Sequence, residues 1–174
     1  MNSETLTIEH PSHRLVVALP DSYEAARATY EALVPEVDHA AYASAHSWRD
    51  TLAIAEKNAP HGFMRYFAVD IAPMMTGSQA PWRATQYLMG NHTIAERMFR
   101  HDPSVMLHAP LRTLLYVDAA GVTRFAADQP SLLFASYGNP EITAVGLHLD
   151  SLLATLFGLL GAQVPASLEP KVAT

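Results

Sequence analysis

Cysteine is missing from all 174 residues. That excludes disulfides, thiolate nucleophiles, iron–sulfur clusters and cysteinyl zinc sites. Positive charge is also scarce. Eleven Lys and Arg stand against seventeen Asp and Glu, a net charge of −6, and the eleven are scattered, with no basic run to track phosphates. Nucleic acid and anionic membrane are therefore not expected partners. Charged residues of both signs make up only 16%, too few for long disordered stretches. No uninterrupted apolar run approaches the roughly 20 residues of a membrane helix; the longest, 147–160, is broken by His148 and Asp150. The N-terminus has no basic region leading into an apolar one, so no signal peptide is expected and the expected location is cytoplasmic. The Gly-x-Ser-x-Gly elbow, the Walker loop and the Gly-x-Gly-x-x-Gly fingerprint are all lacking, which disfavours serine nucleophiles and nucleotide cofactors.

What is present is a core. Hydrophobic residues reach 49%, enough at this length for one domain over 1–174, with a loosely ordered tail over 162–174. Arg14–Leu19 is rich in Val and Leu and stops at Pro20, as a strand does. Ser22 is placed to cap a helix carrying Tyr23, Ala26, Tyr30 and Leu33 on one stripe. Asp38 and Ser47 are further cap candidates, the second opening a helix with Trp48, Leu52 and Ala55 on one face. Phe63–Ile71 reads as a strand with two apolar faces, Phe63, Phe67, Val69 and Ile71 on one and Met64, Tyr66, Ala68 and Asp70 on the other, which predicts a central position. A loop from Pro73 to Trp82 precedes a strand over Ala84–Met89. Thr93-Ile94-Ala95-Glu96 has the form of a capping box. Leu111–Val117 and Val122–Ala127 flank a hairpin turn, and Asn139-Pro140 opens a long helix with a wide apolar face. Consecutive strands without full crossover units predict an α+β fold: a curved, mainly antiparallel sheet with helices on one face.

Several segments resemble a known family. They are Tyr87-Leu88-Met89-Gly90-Asn91-His92, then Asp102-Pro103, Leu107-His108-Ala109-Pro110-Leu111-Arg112, the hairpin with Gly121, and Asp128-Gln129-Pro130-Ser131. Val69-Asp70 and Leu149-Asp150 fit as well. In this order they resemble the bacterial domain-of-unknown-function family numbered three hundred and two. The resemblance implies an α/β domain with a curved sheet, often dimeric, and no settled activity. The family usually has Pro after the Gly-Asn pair; here His92 stands in that place.

The chemistry has two centres in the sequence. At the exit of the Ala84–Met89 strand, Gly90 permits close approach, Asn91 and the first N–H groups of the next helix face outward, and an anion or carbonyl oxygen could dock there, with His92 to move a proton. Equally, Asn91 caps the helix and His92 is exposed. Asp70 lies among apolar neighbours, where desolvation would raise its pKa toward that of a general acid or base; an ion pair with an Arg is the competing reading. His108 is a third candidate for the same cavity. Tyr66, Tyr87, Met74, Met75 and Trp82 are candidate ligand contacts, with 73–82 as a lid; Tyr66, Tyr87 and Tyr116 equally suit core positions. Nine histidines are present, but neither the His10/His13 pair nor the His39/His46 pair has a metal-site spacing, so no metal and no cofactor is expected, with haem or a metal ion on a histidine as the minor alternative. The expected function is a small-molecule-binding domain acting as a cofactor-independent acid–base enzyme, a lyase, isomerase or hydrolase on a small apolar substrate. A non-catalytic ligand- or haem-binding module, a dimeric sensor, is the alternative; a third reading is a pure interaction domain that pairs with its copy through an apolar surface of the last helix. A homodimer is the expected assembly.

Overall fold

The computed structural model describes residues 5–168. The chain runs β1 (Arg14–Ala18), α1 (Tyr23–Leu33), α2 (His39–Ala43), α3 (Trp48–Asn58), β2 (Met64–Asp70), α4 (Ile71–Met74), β3 (Ala84–Gly90) and α5 (His92–Phe99). A 3-10 turn (Pro103–Leu107), β4 (Leu111–Val117), β5 (Thr123–Asp128), α6 (Pro130–Ala135), α7 (Pro140–Leu159) and a short 3-10 turn (Ala166–Leu168) complete it. The three N-terminal caps expected from Ser22, Asp38 and Ser47 form, each side chain accepting from the N–H three residues on. Asn139 caps α7 in the same way. The capping box at Thr93 does not form. Asn91 caps α5 by accepting from Thr93 N–H, and Glu96 pairs with Arg100 one turn on.

The strands form one open sheet in the order β1-β5-β4-β3-β2, every pair antiparallel. Four strands follow one another as a meander, and β1 closes the far side against β5. One row across the sheet reads Val17, Phe125, Leu115, Thr85, Asp70; the next parallel row reads Leu15, Ala127, Thr113, Tyr87, Ala68. These rows carry the buried face. Tyr30 of α1 packs on Tyr87 and Phe125, and Phe157 of α7 meets Phe125 edge-on. The alternate row, Val16, Ala126, Leu114, Gln86, Val69, lies on the face that carries no helix. The fold is thus α+β, with helices on one face of an unclosed sheet.

Two expectations about β2 fail. The strand is an edge, not central, and its side chains do not alternate regularly. Pairing shifts between Arg65 and Phe67, so that Tyr66 is an extra residue in a bulge. Arg65 then falls on the helix side opposite Met89, as do Ala68 and Asp70 opposite Tyr87 and Thr85. A bulge adds one unpaired residue and inverts the parity of the residues after it, which strict alternation could not anticipate. The first half of this edge is covered by Pro35–Val37, which exchanges backbone hydrogen bonds with Arg65; the second half leaves Phe67 exposed.

α7 is long and apolar enough, by length and composition, to cross a membrane. In this fold its apolar face supplies the core: Ile142, Val145, Leu149, Leu153, Leu156 and Phe157 are buried against the sheet and α6. Leu147 and Leu159 of the same helix remain exposed. Residues 162–168, expected to be loose, are docked: Ala162 and Leu168 are buried, and the Ser167 carbonyl accepts from Gln129. Residues 169–174 of the expected tail lie outside the described residues.

One buried carboxylate holds this end of the molecule. Asp150 of α7 accepts from the Ser131 N–H at 2.9 Å and from Gln129 Nε2 at 2.8 Å, tying the start of α6 to α7. Truncating it leaves the buried Ser131 N–H without its acceptor and removes the shortest of three contacts made by Gln129 Nε2, which keeps Ser131 Oγ and the Ser167 carbonyl, a loss of about 1–3 kcal/mol. Asp150→Ala is therefore expected to lower the urea midpoint by a corresponding amount without changing the slope. A loss under about 1 kcal/mol would show that the buried carboxylate is dispensable.

Candidate functional site

The exit of β3 and the bulge of β2 lie side by side. Met64 pairs with Gly90, so the extra residue Tyr66 is displaced toward the chain that leaves Gly90 for α5. The Tyr66 hydroxyl accepts the backbone N–H of His92 at 3.0 Å and lies 2.7 Å from His92 Nδ1. If the phenol gives its proton to Nδ1, the imidazole is held as the neutral tautomer with the hydrogen on Nε2. Tyr42 of α2 sets its ring edgewise against the imidazole, with centroids 4.4 Å apart. Burial pushes the Tyr66 phenol up to about 12 and moves the His92 imidazole below its ordinary value. Both groups are thus neutral at pH 7.

Beside this pair is a cavity of about 260 Å³. Its walls come from the start of α5 (Ile94, Ala95, Met98), the loop into β4 (Met106, Ala109, Pro110), Phe134 of α6 and Leu149 of α7. The only conventional hydrogen-bonding side chains among its lining residues are Tyr66, Asn91 and His92. No cationic or carboxylate side chain lines it.

The helix entrance does not offer the anion site expected of it. His92 N–H is taken by Tyr66, Thr93 N–H by the Asn91 side chain, and Ile94 and Ala95 N–H by the Asn91 carbonyl. Every first-turn donor has an internal partner, which leaves none to bind an oxyanion. Gly90 is also less constrained than expected. A methyl group there would meet Pro110 at 3.5 Å and the Tyr66 ring at 3.8 Å, both ordinary contacts.

Asp70 is not part of this cavity. It stands opposite Thr85, which lies five positions before Gly90 on β3, about 17 Å along the strand. Its carboxylate takes two hydrogen bonds from Arg27 Nη1, at 2.8 and 3.0 Å, and one from Thr85 Oγ1 at 2.6 Å. Arg27 also binds Glu31, which in turn accepts from Tyr87 at 3.0 Å. Thr85 and then Arg27 hold the Asp70 carboxyl below its ordinary value, opposite to the elevation expected from apolar neighbours. The ion-pair reading is the one the geometry realises. Tyr87 is completely buried in the core and reaches Glu31, not the cavity.

His108 does not line this cavity. Its ring meets His10, Phe134 and Tyr137 edge-on and lines clefts on the other side of Pro110. Met74, Met75 and Trp82 are exposed, beyond the Asp70 end of β2, so the 73–82 loop covers nothing at the cavity. His39 and His46 do not share a helix, because α2 ends at Ala43. Among the described residues, no three His, Asp or Glu side chains converge as a metal site would require.

Of the candidates, the structure brings together Tyr66, Gly90, Asn91 and His92. Sequence reasoning missed Tyr42 and the apolar walls at Ala95, Met98, Met106, Phe134 and Leu149. Leu149 was legible as part of the apolar face of the last helix; that the packing around it leaves a void was not. Tyr42 follows a recognised cap, but nothing in its spacing pointed to His92.

The family model "Domain of unknown function DUF302" matches residues 40–158, a segment that contains Tyr42 and every residue lining the cavity. A crystal structure titled as an uncharacterized conserved protein DUF302 from Bacillus stearothermophilus superposes with a TM-score of 0.63. It is 13% identical, and the alignment covers 84% of this chain and 97% of that one. Among curated proteins, none matches the sequence.

Two titrations test the site. Asp70 has a depressed folded pKa, so its contribution is present above the unfolded value of about 3.9 and is lost as the pH falls through the folded value. Asp70→Asn is expected to cost about 0.5–1 kcal/mol at pH 7, since the pair is partly exposed. Its urea midpoint should converge on that of the parent below about pH 4; a constant difference across the range would contradict this. His92 should titrate by NMR below about 6.5. Because the unfolded chain takes up that proton first, stability from this residue declines as the pH drops from about 6.5 toward the folded value. A midpoint above about 6.5 would contradict the burial argument.

Proposed function

This chain belongs to the DUF302 family, and we propose that it is a small-molecule-binding domain whose ligand occupies the apolar cavity beside Tyr66 and His92. The observation that carries the reading is the cavity's composition: apolar walls from four separate parts of the chain, with polar groups confined to one corner. Binding sites for small molecules have this form, mostly apolar lining with a few placed polar atoms that fix orientation. A dry cavity of roughly 150 Å³ holds benzene, so 260 Å³ suits a ligand of up to about ten non-hydrogen atoms by the same ratio. Haem is several-fold larger, which argues against haem at this position.

The acid–base enzyme is the second reading, and its form changes. A mechanism shared between Asp70 and His92 is incompatible with their separation. What supports a catalytic role is the Tyr66–His92 hydrogen bond alone, a single proton-transferring unit at the cavity wall. With no second acid or base lining the cavity, binding is the simpler function for this geometry.

n-Propylbenzene, with nine carbons, tests the binding reading. It is expected to raise the melting temperature of the parent protein and to show saturation transfer in ligand-observed NMR. Ala95→Phe, which fills the cavity from α5, should abolish both effects while retaining the parent circular dichroism; Ala95→Leu should weaken them. Absence of binding to the parent, or equal binding to Ala95→Phe, would overturn the reading.

A further inference from the structure

The hydrogen-bond directions around His92 also restrict what can bind. We propose that the cavity selects uncharged molecules that end in a hydrogen-bond acceptor, a ketone, aldehyde or ester carbonyl on an apolar body, received by the Nε2–H of His92. This rests on the cavity being a ligand site, and it adds the chemical class of the ligand.

Donors outnumber free acceptors at this corner. Tyr66 oxygen accepts from the His92 backbone N–H and lies 2.7 Å from Nδ1; in the proposed arrangement it gives its hydrogen to Nδ1. That fixes the hydrogen on Nε2, at the far side of the ring, where it has no partner among the described residues. No buried side-chain nitrogen or oxygen among the described residues lacks a partner, so Nε2 is not a sealed atom; it is within reach of solvent or ligand. The acceptors are already engaged: Asn91 Oδ1 by Thr93 N–H at 3.0 Å and Thr93 Oγ1 at 2.7 Å, and Tyr66 oxygen by His92 N–H. Asn91 Nδ2 is itself a donor, given to the Gly62 carbonyl at 3.3 Å. The corner therefore offers hydrogens, not lone pairs. An amine or alcohol hydrogen placed there would lose its bond to water without replacement, which weakens its binding relative to a carbonyl.

Charge is excluded on the same grounds. An anion entering the cavity would find neither a cationic side chain nor a free helix N–H, since all first-turn donors are used. A cation would find no carboxylate. Desolvating an ion without a partner is far more costly than desolvating a carbonyl that regains one hydrogen bond.

Heptan-2-one, heptanoate and heptylamine share a chain length and differ in the polar end; each is within the size limit, and n-propylbenzene serves as the apolar control. Dissociation constants are measured by NMR titration on the parent and on His92→Phe. Heptan-2-one is expected to bind the parent at least tenfold more tightly than either charged probe. It is expected to lose about fivefold to tenfold on His92→Phe, while n-propylbenzene changes by less than twofold. If n-propylbenzene and heptan-2-one both fail to bind the parent, the cavity is not a ligand site and the underlying reading fails. If n-propylbenzene binds but heptanoate or heptylamine rivals the ketone, the site stands and the ligand class is wrong. The ligand class is equally wrong if His92→Phe leaves ketone affinity unchanged. Should His92→Phe prove unfolded by circular dichroism, the ratio of ketone to heptanoate affinity on the parent decides alone: tenfold or more supports the proposal, and anything less overturns it.

Discussion

The extra residue in β2 is the constraint on which the site depends. Without the bulge, residue 66 would pair in register and its side chain would follow the strand's alternation. With it, the phenol is carried to the mouth of α5, where one oxygen satisfies the first backbone N–H of the helix and fixes the imidazole beside it. Bulges commonly re-aim a side chain at sheet edges and near sites, and β2 is an edge strand here. Tyr66 also links two apolar clusters. Its ring packs with Met64, Val37, Ala55 and Ala59 beneath α2 and α3, while its hydroxyl end belongs to the cavity on the main core. The small cluster under α2 and α3 thereby supports the ring that orients His92.

The two halves of the sheet's covered face do different physical work. At the Asp70 end, charge is concentrated and fully paired: Arg27, Asp70, Glu31, Tyr87, Thr85 and Tyr23 form a connected set of hydrogen bonds between α1 and the sheet. Each member has its partner, so the set fastens α1 to β2 and β3. At the Gly90 end, no charged side chain lines the cavity, and the helices part enough to leave a void. A neutral donor in a low-dielectric corner is a stronger orienting group than it would be in water, and it does not compel the ligand to carry charge.

Much of the architecture was legible in the sequence because local signals and global fold agreed. Ser22, Asp38, Ser47 and Asn139 cap helices by the chemistry their side chains impose, and the Asp118–Gly121 turn between β4 and β5 follows from a carboxylate that accepts from Ala120 and Val122 N–H. The failures are long-range. Asp70 sits among apolar neighbours in sequence, but its partner Arg27 lies 43 positions away, and no periodicity announces an ion pair between a helix and an edge strand. Tyr66 and His92 were both singled out, yet their contact depends on the bulge. Asp150 and Ser131 belong to segments that carried the family resemblance; their contact, a buried carboxylate that accepts the Ser131 N–H at the start of α6, emerges only when the two segments meet. The placement of His108 on the opposite side of Pro110 depends on how the loop enters β4, for which side-chain pattern offers no guide.

One protonation pattern underlies the site: a phenol that gives its hydrogen to Nδ1 of His92 and leaves the hydrogen of the imidazole on Nε2. Long-range ¹H–¹⁵N correlation on ¹⁵N-histidine-labelled protein at neutral pH reads this directly, with Tyr66→Phe identifying the ring. The expected result is an unprotonated Nδ1 and a protonated Nε2 in the parent, and a mixed pattern in Tyr66→Phe. A protonated Nδ1 in the parent, or a pattern indifferent to the loss of the phenol, would contradict it.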